Sequence, residues 1–292
     1  MSSEPIATPP EPAATPLAGT DRTNARRPIE KLSVDEIRLR FLRDNEACSA
    51  QMLGRLRRDS RQGVRALAEQ LDRRRTRDRA ESRRMDSLLT FEREHWSRGI
   101  SRIAGVDEVG MGPLAGPVVS AAVILPPEIR IEDVNDSKQL SPEVREILAK
   151  RILQCASAFA YGMASVEEIG EINIRQAGLL SMRRALDGLN PEPELVVIDA
   201  HELAGLPWPQ EARIKADATI HCVAAASVIA KVYRDRLMDD LARIYPEYGF
   251  DRHKGYGTPE HVAALKKHGP SAVHRQSFHW GGQQLDLFGS PS

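Results

Sequence analysis

The chain has 292 residues, 41% of them hydrophobic, with 41 Lys and Arg balanced by 41 Asp and Glu. That length can bury one large core or two smaller ones, which excludes a short disulfide scaffold. No run approaches the about 18 to 20 uninterrupted apolar residues of a membrane span. The opening MSSEPIATPPEP has neither the basic region nor the apolar run of a secretory signal. A soluble cytoplasmic protein is expected, monomeric and without a membrane partner. Cys48, Cys155 and Cys222 are odd in number, far apart and outside metal-ligand spacing, which points to free thiols in a reducing compartment rather than bridges or a zinc site.

The charge is unevenly spread. Residues 1–30 carry three basic and four acidic side chains, residues 31–100 carry 18 and 12, and residues 101–292 carry 20 and 25. A basic stretch beside an acidic one suggests that one part holds a polyanion while the other gathers carboxylates for another purpose. Residues 1–30, rich in Pro, Ala, Thr and Ser without a hydrophobic period, read as a disordered tail. From Val34 to about Trp96 there is no Pro, and Ile37, Phe41, Met52, Leu56, Val64, Leu67 and Leu71 recur at helical offsets, which predicts two or three helices within a basic extension spanning 31–100. Its second half, RALAEQLDRRRTRDRAESRRMDSLLTFERE, either lays guanidinium groups along a phosphate backbone or is a solvated surface whose acids pair locally with Arg.

From Ser101 strands and helices alternate. IAGVDE and GPVVSAAVIL are β-rich, and SPEVREILAKRILQ is helical, with Ser141 as N-cap and Pro142 at the first helical position. FAYGMASV returns to strand, NIRQAGLLSMRRALDGL is helical, ELVVIDA is a strand, and ATIHCVAAASVIAKVYRDRLMDDLARIY is one long helix. The class is α/β, a mixed sheet flanked by helices, over residues 101–280.

Asp107 and Glu108 follow the apolar strand segment IAGV, and Asp199 ends the run LVVI. Gathering such charges at buried strand ends without cations would cost several kcal/mol. Successive strand residues point to opposite faces, so a twist or bulge is expected where Asp107 and Glu108 meet. Hard oxygen ligands with no His/Cys set nearby select Mg²⁺ or Mn²⁺, and two such ions about 4 Å apart would serve phosphoryl transfer. The alternative is a set of unrelated surface acids at strand ends.

The stretch IAGVDEVGMGPLAGPVVSAAVIL closely resembles the opening motif of type 2 ribonuclease H, ribonuclease HII, and further motifs of that family follow in order. They are NDSKQLSPEVRE, ASVEEIGEINIRQA, VVIDA, KADATIHCVAAASVIAKVYRD, HKGYGTPEH and HRQSF. Residues 31–100 resemble the helical N-terminal extension of some bacterial members. The resemblance implies an RNase H-like fold, hydrolysis of RNA in RNA/DNA hybrids, and cutting on the 5′ side of a ribonucleotide embedded in duplex DNA, leaving a 3′-hydroxyl and a 5′-phosphate. It makes Asp107, Glu108 and Asp199 metal ligands, and Asp217 the fourth member of the acidic site. Ala216 stands where the family usually has glycine, and Asp217 has a second reading as N-cap of a helix beginning near Thr219.

The same resemblance assigns substrate recognition to Gly110, Met111 and Gly112, whose backbone would reach a 2′-hydroxyl, and to Tyr256, whose ring would stack on a sugar. Lys138, Lys231 and Lys254 are candidate phosphate contacts or else exposed lysines. Met111 departs from the family's usual Gly-Arg-Gly or Gly-Lys-Gly loop, which removes one charge-assisted contact of about 1.5 to 3 kcal/mol. Two rival readings are a hybrid-binding adaptor that has lost catalysis, opposed by retention of all four acids, and a resolvase- or transposase-like nuclease, opposed by the glycine turn and tyrosine loop. Within residues 281–292, a flexible tail, Gln284-Leu285-Asp286-Leu287-Phe288 resembles the peptide by which bacterial repair proteins dock on the sliding clamp. Gln284 would set the register while Leu285, Leu287 and Phe288 fill an apolar pocket. Alternatively the tail folds back near Trp280.

Overall fold

The structure, a computed structural model, describes residues 27–280 and 283–284. Residues 1–26 of the expected tail, and Leu285, Leu287 and Phe288 of the C-terminal motif, lie outside the described residues. The chain forms two compact units that meet between Arg79 and Ala80.

In the first unit, Ser33 starts α1 (Val34–Arg38) with a capping box, its hydroxyl accepting from Glu36 N–H while the Glu36 carboxylate accepts from Ser33 N–H. A π-turn at Leu39–Arg43 follows, then α2 (Ala50–Arg57), capped by Ser49, and α3 (Gln62–Leu88). The expected periodic residues Ile37, Phe41, Leu56, Val64, Leu67 and Leu71 form its core, together with Leu53 and Ile29. Ile29 shows that this unit's packing begins ahead of residue 31.

The second unit holds α4 (Thr90–Trp96) and a five-stranded sheet built from β1 (Ile103–Val109), β2 (Val118–Ile124), β3 (Ala158–Ala164), β4 (Leu195–Asp199) and β5 (Gln210–Arg213). The order is β3-β2-β1-β4-β5, antiparallel across β1–β2 and β2–β3 and parallel across β1–β4 and β4–β5. This is the mixed, helix-flanked α/β sheet that the sequence predicts. The helices are α5 (Pro142–Cys155), α6 (Val166–Asp187), α7 (Ala216–Thr219), α8 (His221–Ile244), α9 (Phe250–His253) and α10 (Pro259–His268), and a short pair β6 (His279–Trp280) and β7 (Gln283–Gln284) closes the described chain. Ala121 and Val123 pack toward α5 and α8, with Met85 and Leu88 in the same cluster, while Ala104, Val106, Ala122, Ile124, Val196 and Ile198 pack toward α6. Residues 80–100, grouped by sequence with the helical extension, thus fall within the sheet unit, and Met85 and Leu88 stand in its core.

Local chemistry explains most element boundaries. Ser141 accepts from Val144 N–H and Pro142 opens α5, as expected. In α6 the backbone breaks at Asn173 (φ 70°, ψ 164°), whose side chain accepts from Gln176 N–H and so restarts the helix. The long helix begins at His221, not near Thr219, and Asp217 lies in the separate turn α7, so Asp217 is not its N-cap. Ile220 offers α8 no side-chain cap. Glu92 of α4 supplies one instead, its Oε1 accepting from Cys222 N–H at 2.9 Å from within the core. Among the described residues no helix is long and apolar enough to cross a membrane, and Cys48, Cys155 and Cys222 are all free.

A chain of buried imidazoles ties α10 to the loop before it. Ser271 N–H donates to His274 Nδ1 at 2.9 Å, His274 Nε2 lies 3.0 Å from His261 Nε2, and His261 Nδ1 lies 3.0 Å from the Tyr256 carbonyl. With both rings neutral, one proton arrangement satisfies all three contacts, with His274 donating to His261 and His261 donating to Tyr256. Burial first, then the neighbouring His261, pushes His274 down to about 4.

A histidine held neutral when folded stabilises the fold above its unfolded pKa near 6.5, and that contribution is lost as pH falls toward about 4, where the unfolded chain binds the extra proton. His274→Gln keeps an acceptor and a donor but does not titrate. In chelator-containing buffers the variant should therefore lose less stability than wild type between pH 6.5 and 4, a difference on the order of 2 kcal/mol. Thermal melts across that range check it, and identical pH dependence in the two proteins would overturn the assignment.

Candidate active site

β1 is paired with β2 on one side from Ala104↔Ile124 to Val109↔Val119 without interruption. The bulge expected at Asp107 and Glu108 is therefore absent. On the other side, pairing with β4 runs only to Val106↔Ile198, and β4 ends at Asp199. Asp107 and Asp199 thus stand at the same level at the end of two parallel neighbours, while Glu108 extends past the end of β4. Termination of β4, rather than a bulge, lets residues from both faces approach one place.

The four carboxylates sense one another. Asp107 is buried and its carboxyl is held well above its ordinary range, first by burial and then by the charge of Glu108, with Asp217 and Asp199 adding to the effect. Glu108 is pushed up to about 7, mainly by burial, with Asp199 and Asp217 raising it and Lys138 opposing them. Burial and Asp199 also raise Asp217. Asp199 is fixed by accepting from Ala216 N–H at 2.9 Å, which joins the end of β4 to α7. Ser227 of α8 donates to Ser137 at 3.0 Å, and its hydroxyl lies near Asp107, where it opposes the upward shift. Lys138 N–H donates to Asp136 at 3.0 Å, and burial, which opposes its charge, is outweighed by Asp136, Asp107, Asp217 and Glu108, so the ammonium holds its proton above the ordinary range. Lys138 joins the acidic cluster, whereas Lys231 pairs with Asp235 at 2.6 Å and Lys254 pairs with Asp239.

Among the described residues no three carboxylate, imidazole or thiol groups are drawn close enough to form a ready-made metal cage. Four mutually repelling acids with one lysine among them are expected to stand apart until a cation offsets their charge. The donor set, all carboxylate oxygen, fits a hard divalent ion.

Gly110 takes φ 95°, and a side chain there would run into Arg234 Nε. The ring of Tyr256, 42% exposed, lies beside Gly112, where a methyl group would be 3.7 Å from its Cε1. Leu114 N–H donates to the Gly255 carbonyl at 2.8 Å, linking the glycine loop to the tyrosine loop. Met111 turns away from this pair, and its sulfur packs against Gly178 in an apolar cluster containing Ile169 and Ala177.

Two residues that the sequence reading did not single out hold these loops from behind. Arg275, wholly buried, donates to the carbonyls of Gly110 (2.5 Å), Met111 (3.1 Å) and Gly116 (2.9 Å). Arg234, also wholly buried, donates to those of Pro117 (3.0 Å), Lys254 (3.0 Å) and Ala115 (3.1 Å). Among the described residues neither pairs with a carboxylate. Burial, then the charge of Arg234, lowers Arg275 to about 9. An arginine inside the apolar run AAASVIAKVYRD was the available sequence signal for Arg234.

Comparison with known proteins bears on this arrangement. The family model described as Ribonuclease HII matches residues 104–280, and that of the Ribonuclease HII N-terminal domain matches residues 33–96. Ribonuclease HII of Geobacillus kaustophilus is 48% identical over 76% of this chain and 85% of its own length, and that of Myxococcus xanthus is 46% identical over 84% of each. Among solved structures, ribonuclease H2 from Pyrococcus horikoshii OT3 superposes with a TM-score of 0.54 at 29% identity, covering 61% of this chain and 93% of its own. The RNase HII of Archaeoglobus fulgidus, solved in a complex with PCNA, gives 0.50 at 27% identity, covering 64% and 100%. Sequence relatives aligned across most of their length, and a sheet whose central strand ends bring the acids together, agree that this chain belongs to the ribonuclease HII family of endoribonucleases.

Proposed function

We propose that the protein is a metal-dependent endoribonuclease that cleaves RNA in RNA/DNA hybrids and cuts 5′ of ribonucleotides embedded in duplex DNA, leaving a 3′-hydroxyl and a 5′-phosphate, in replication and repair. The observation that carries this reading is the cluster Asp107, Glu108, Asp199 and Asp217, whose burial and mutual repulsion call for a cation. Asp107, Glu108 and Asp199 would hold Mg²⁺ or Mn²⁺, with Asp217 completing the site. Such ions supply a nucleophilic water at neutral pH and offset charge on the leaving oxygen. The chain's own groups orient the substrate. Lys138 adds a positive charge at the acids, the Gly110–Gly112 backbone approaches the 2′-hydroxyl, and Tyr256 stacks on the neighbouring sugar. Lys231 and Lys254 would reach phosphate only by exchanging Asp235 and Asp239 for it. For the tail, the motif Gln284, Leu285, Leu287, Phe288 supports docking on the sliding clamp, and the Archaeoglobus fulgidus relative is found in a complex with PCNA.

Asp107→Asn, Glu108→Gln and Asp199→Asn should each lower turnover by about 100-fold or more, because each removes charge that holds the ions. In chelator the same variants should melt at or above the wild-type temperature, since repulsion is relieved. An acid whose variant keeps near wild-type turnover at saturating Mg²⁺ is not a ligand. Comparing a duplex with one ribonucleotide, a long RNA/DNA hybrid and an all-DNA duplex tests the substrate class, and cleavage of the all-DNA duplex would refute it.

Met111→Arg should tighten substrate binding and steepen its salt dependence by about one unit of log–log slope, the signature of one more neutralised phosphate. The gain should be larger on the embedded ribonucleotide. Loss of packing against Gly178 should lower the melting temperature slightly. An unchanged slope would mean that another cation already occupies that role.

A Leu287→Ala, Phe288→Ala double variant should lose micromolar binding to the organism's own clamp in calorimetry while cleaving short oligonucleotides at the wild-type rate. Equal binding by both proteins would sink clamp docking.

A further inference from the structure

Residues 27–79 carry 15 Lys and Arg against nine Asp and Glu, and several of these arginines are occupied within the N-terminal unit. Arg40 forms a two-pronged pair with Glu46, Arg61 pairs with Asp59 at 2.7 Å and also reaches the carbonyls of Ile29 and Leu32, and Arg57 pairs with Asp72 at 2.5 Å. Arg65 donates to the carbonyls of Asp59 and Ser60.

Three other arginines converge on one place. Arg73, Arg74 and Arg77 on α3, with Gln70 of the same helix and Leu42 of the π-turn, line an open groove of about 490 Å³. Arg73 makes no ion pair or hydrogen bond within the described residues. Arg77, with 82% of its side chain exposed, reaches only Asp78 at 3.8 Å. Arg74 donates to Asn45 at 2.8 Å and shares the same Asp78 at 3.8 Å. Among the described residues no carboxylate lines the groove. Three full charges converging there, with one acid nearby at the limit of ion-pair distance, repel one another and favour an anion.

We propose that this groove binds the sugar-phosphate backbone of nucleic acid, giving the N-terminal unit its own contact with the polyanion on which the catalytic unit acts. Several features of the lining select that ligand. Guanidinium forks match phosphate oxygens two at a time, and the volume takes more than one phosphate. With no aromatic ring in the lining there is no platform for a base, so binding is independent of sequence and indifferent to deoxyribose or ribose. The second unit carries an excess of acidic residues, so a backbone contact on the first unit raises the effective concentration of substrate for a catalytic centre that does not itself attract polyanions. This role rests on membership of the ribonuclease HII family and not on single-ribonucleotide recognition.

The test uses the full chain in chelator, so that no cleavage occurs, with a fluorescent 20-base-pair all-DNA duplex and an RNA/DNA hybrid of the same sequence as probes. The variants are Arg73→Gln/Arg77→Gln, which breaks no hydrogen bond, and the triple with Arg74→Gln. Binding of both probes should weaken about tenfold or more at low salt, and the log–log salt slope should fall by about 0.9 for each phosphate that is no longer neutralised. With metal restored, KM for the hybrid should rise while kcat at saturation stays unchanged. A control triple, Arg151→Gln/Arg213→Gln/Arg243→Gln, removes the same net charge from the second unit and should leave the slope nearer that of wild type. Unchanged affinity and slope in the groove variants would overturn the proposal, as would an equal weakening in the control, which would make the effect one of net charge alone. Inorganic phosphate titrated at constant ionic strength should compete only weakly. Tight phosphate binding with no effect of the variants on duplex affinity would assign the groove to a free anion and overturn the backbone reading.

Discussion

At Gly105 the backbone of β1 lies so close to the first turn of α8 that a methyl group would overlap the carbonyl carbon of Cys222. That close approach sets the depth at which α8 sits on the sheet, and the site follows from it. Ser227, further along α8, comes within hydrogen-bonding reach of Asp107, and the connection leading into α8 delivers Asp217 to the end of β4. Apolar packing and backbone geometry therefore place the carboxylates within one another's field, against their mutual repulsion, with Lys138 opposing part of it. Asp107 and Glu108 stay high in pKa first because the packing buries them, and the charges of the neighbouring acids add to the effect.

A second unfavourable placement lies behind the glycine loop. Arg234 and Arg275 are fully buried and, among the described residues, without a carboxylate, which on hydrophobic grounds alone would be a costly arrangement. Each is instead surrounded by main-chain carbonyls, three per guanidinium, drawn from the glycine loop, the segment after it and the residue preceding Gly255. A rigid planar fork fixes the direction of several carbonyls at once, which a lysine could not do. The glycine loop and the segment leading to Gly255 are thus braced from within the protein by the two guanidinium groups.

Much of this was legible in the sequence for physical reasons. Acids directly after apolar β-runs mark charges at strand ends, and Ser141-Pro142 writes a helix start in residues whose chemistry suits no other position. What stayed hidden depends on neighbours distant in sequence. The absence of a bulge at Asp107 follows from where β4 ends, far later in the chain. The cap of α8 is supplied from α4 across 130 residues, and no local pattern announces it. The packing of Met111 against Gly178 becomes visible only when α6 is in place. The lysines Lys231 and Lys254 looked equivalent to Lys138 in sequence, and only their folded neighbours distinguish them.

The cap contributed by Glu92 also bears on how this protein can be taken apart. Residues 33–96 match a family domain of their own, yet Met85, Leu88 and Glu92 are built into the sheet unit as firmly as its own helices. The module recognised by sequence and the module that packs as one body therefore end at different places. A boundary drawn at residue 100 would strip a cap from the longest helix of the sheet and open a hole beneath α5, whereas one drawn at Arg79 follows the seam along which the packing thins out. Exchange of the N-terminal region between relatives is physically tolerable only if the last turns of α3 and all of α4 stay with the catalytic partner they grew against.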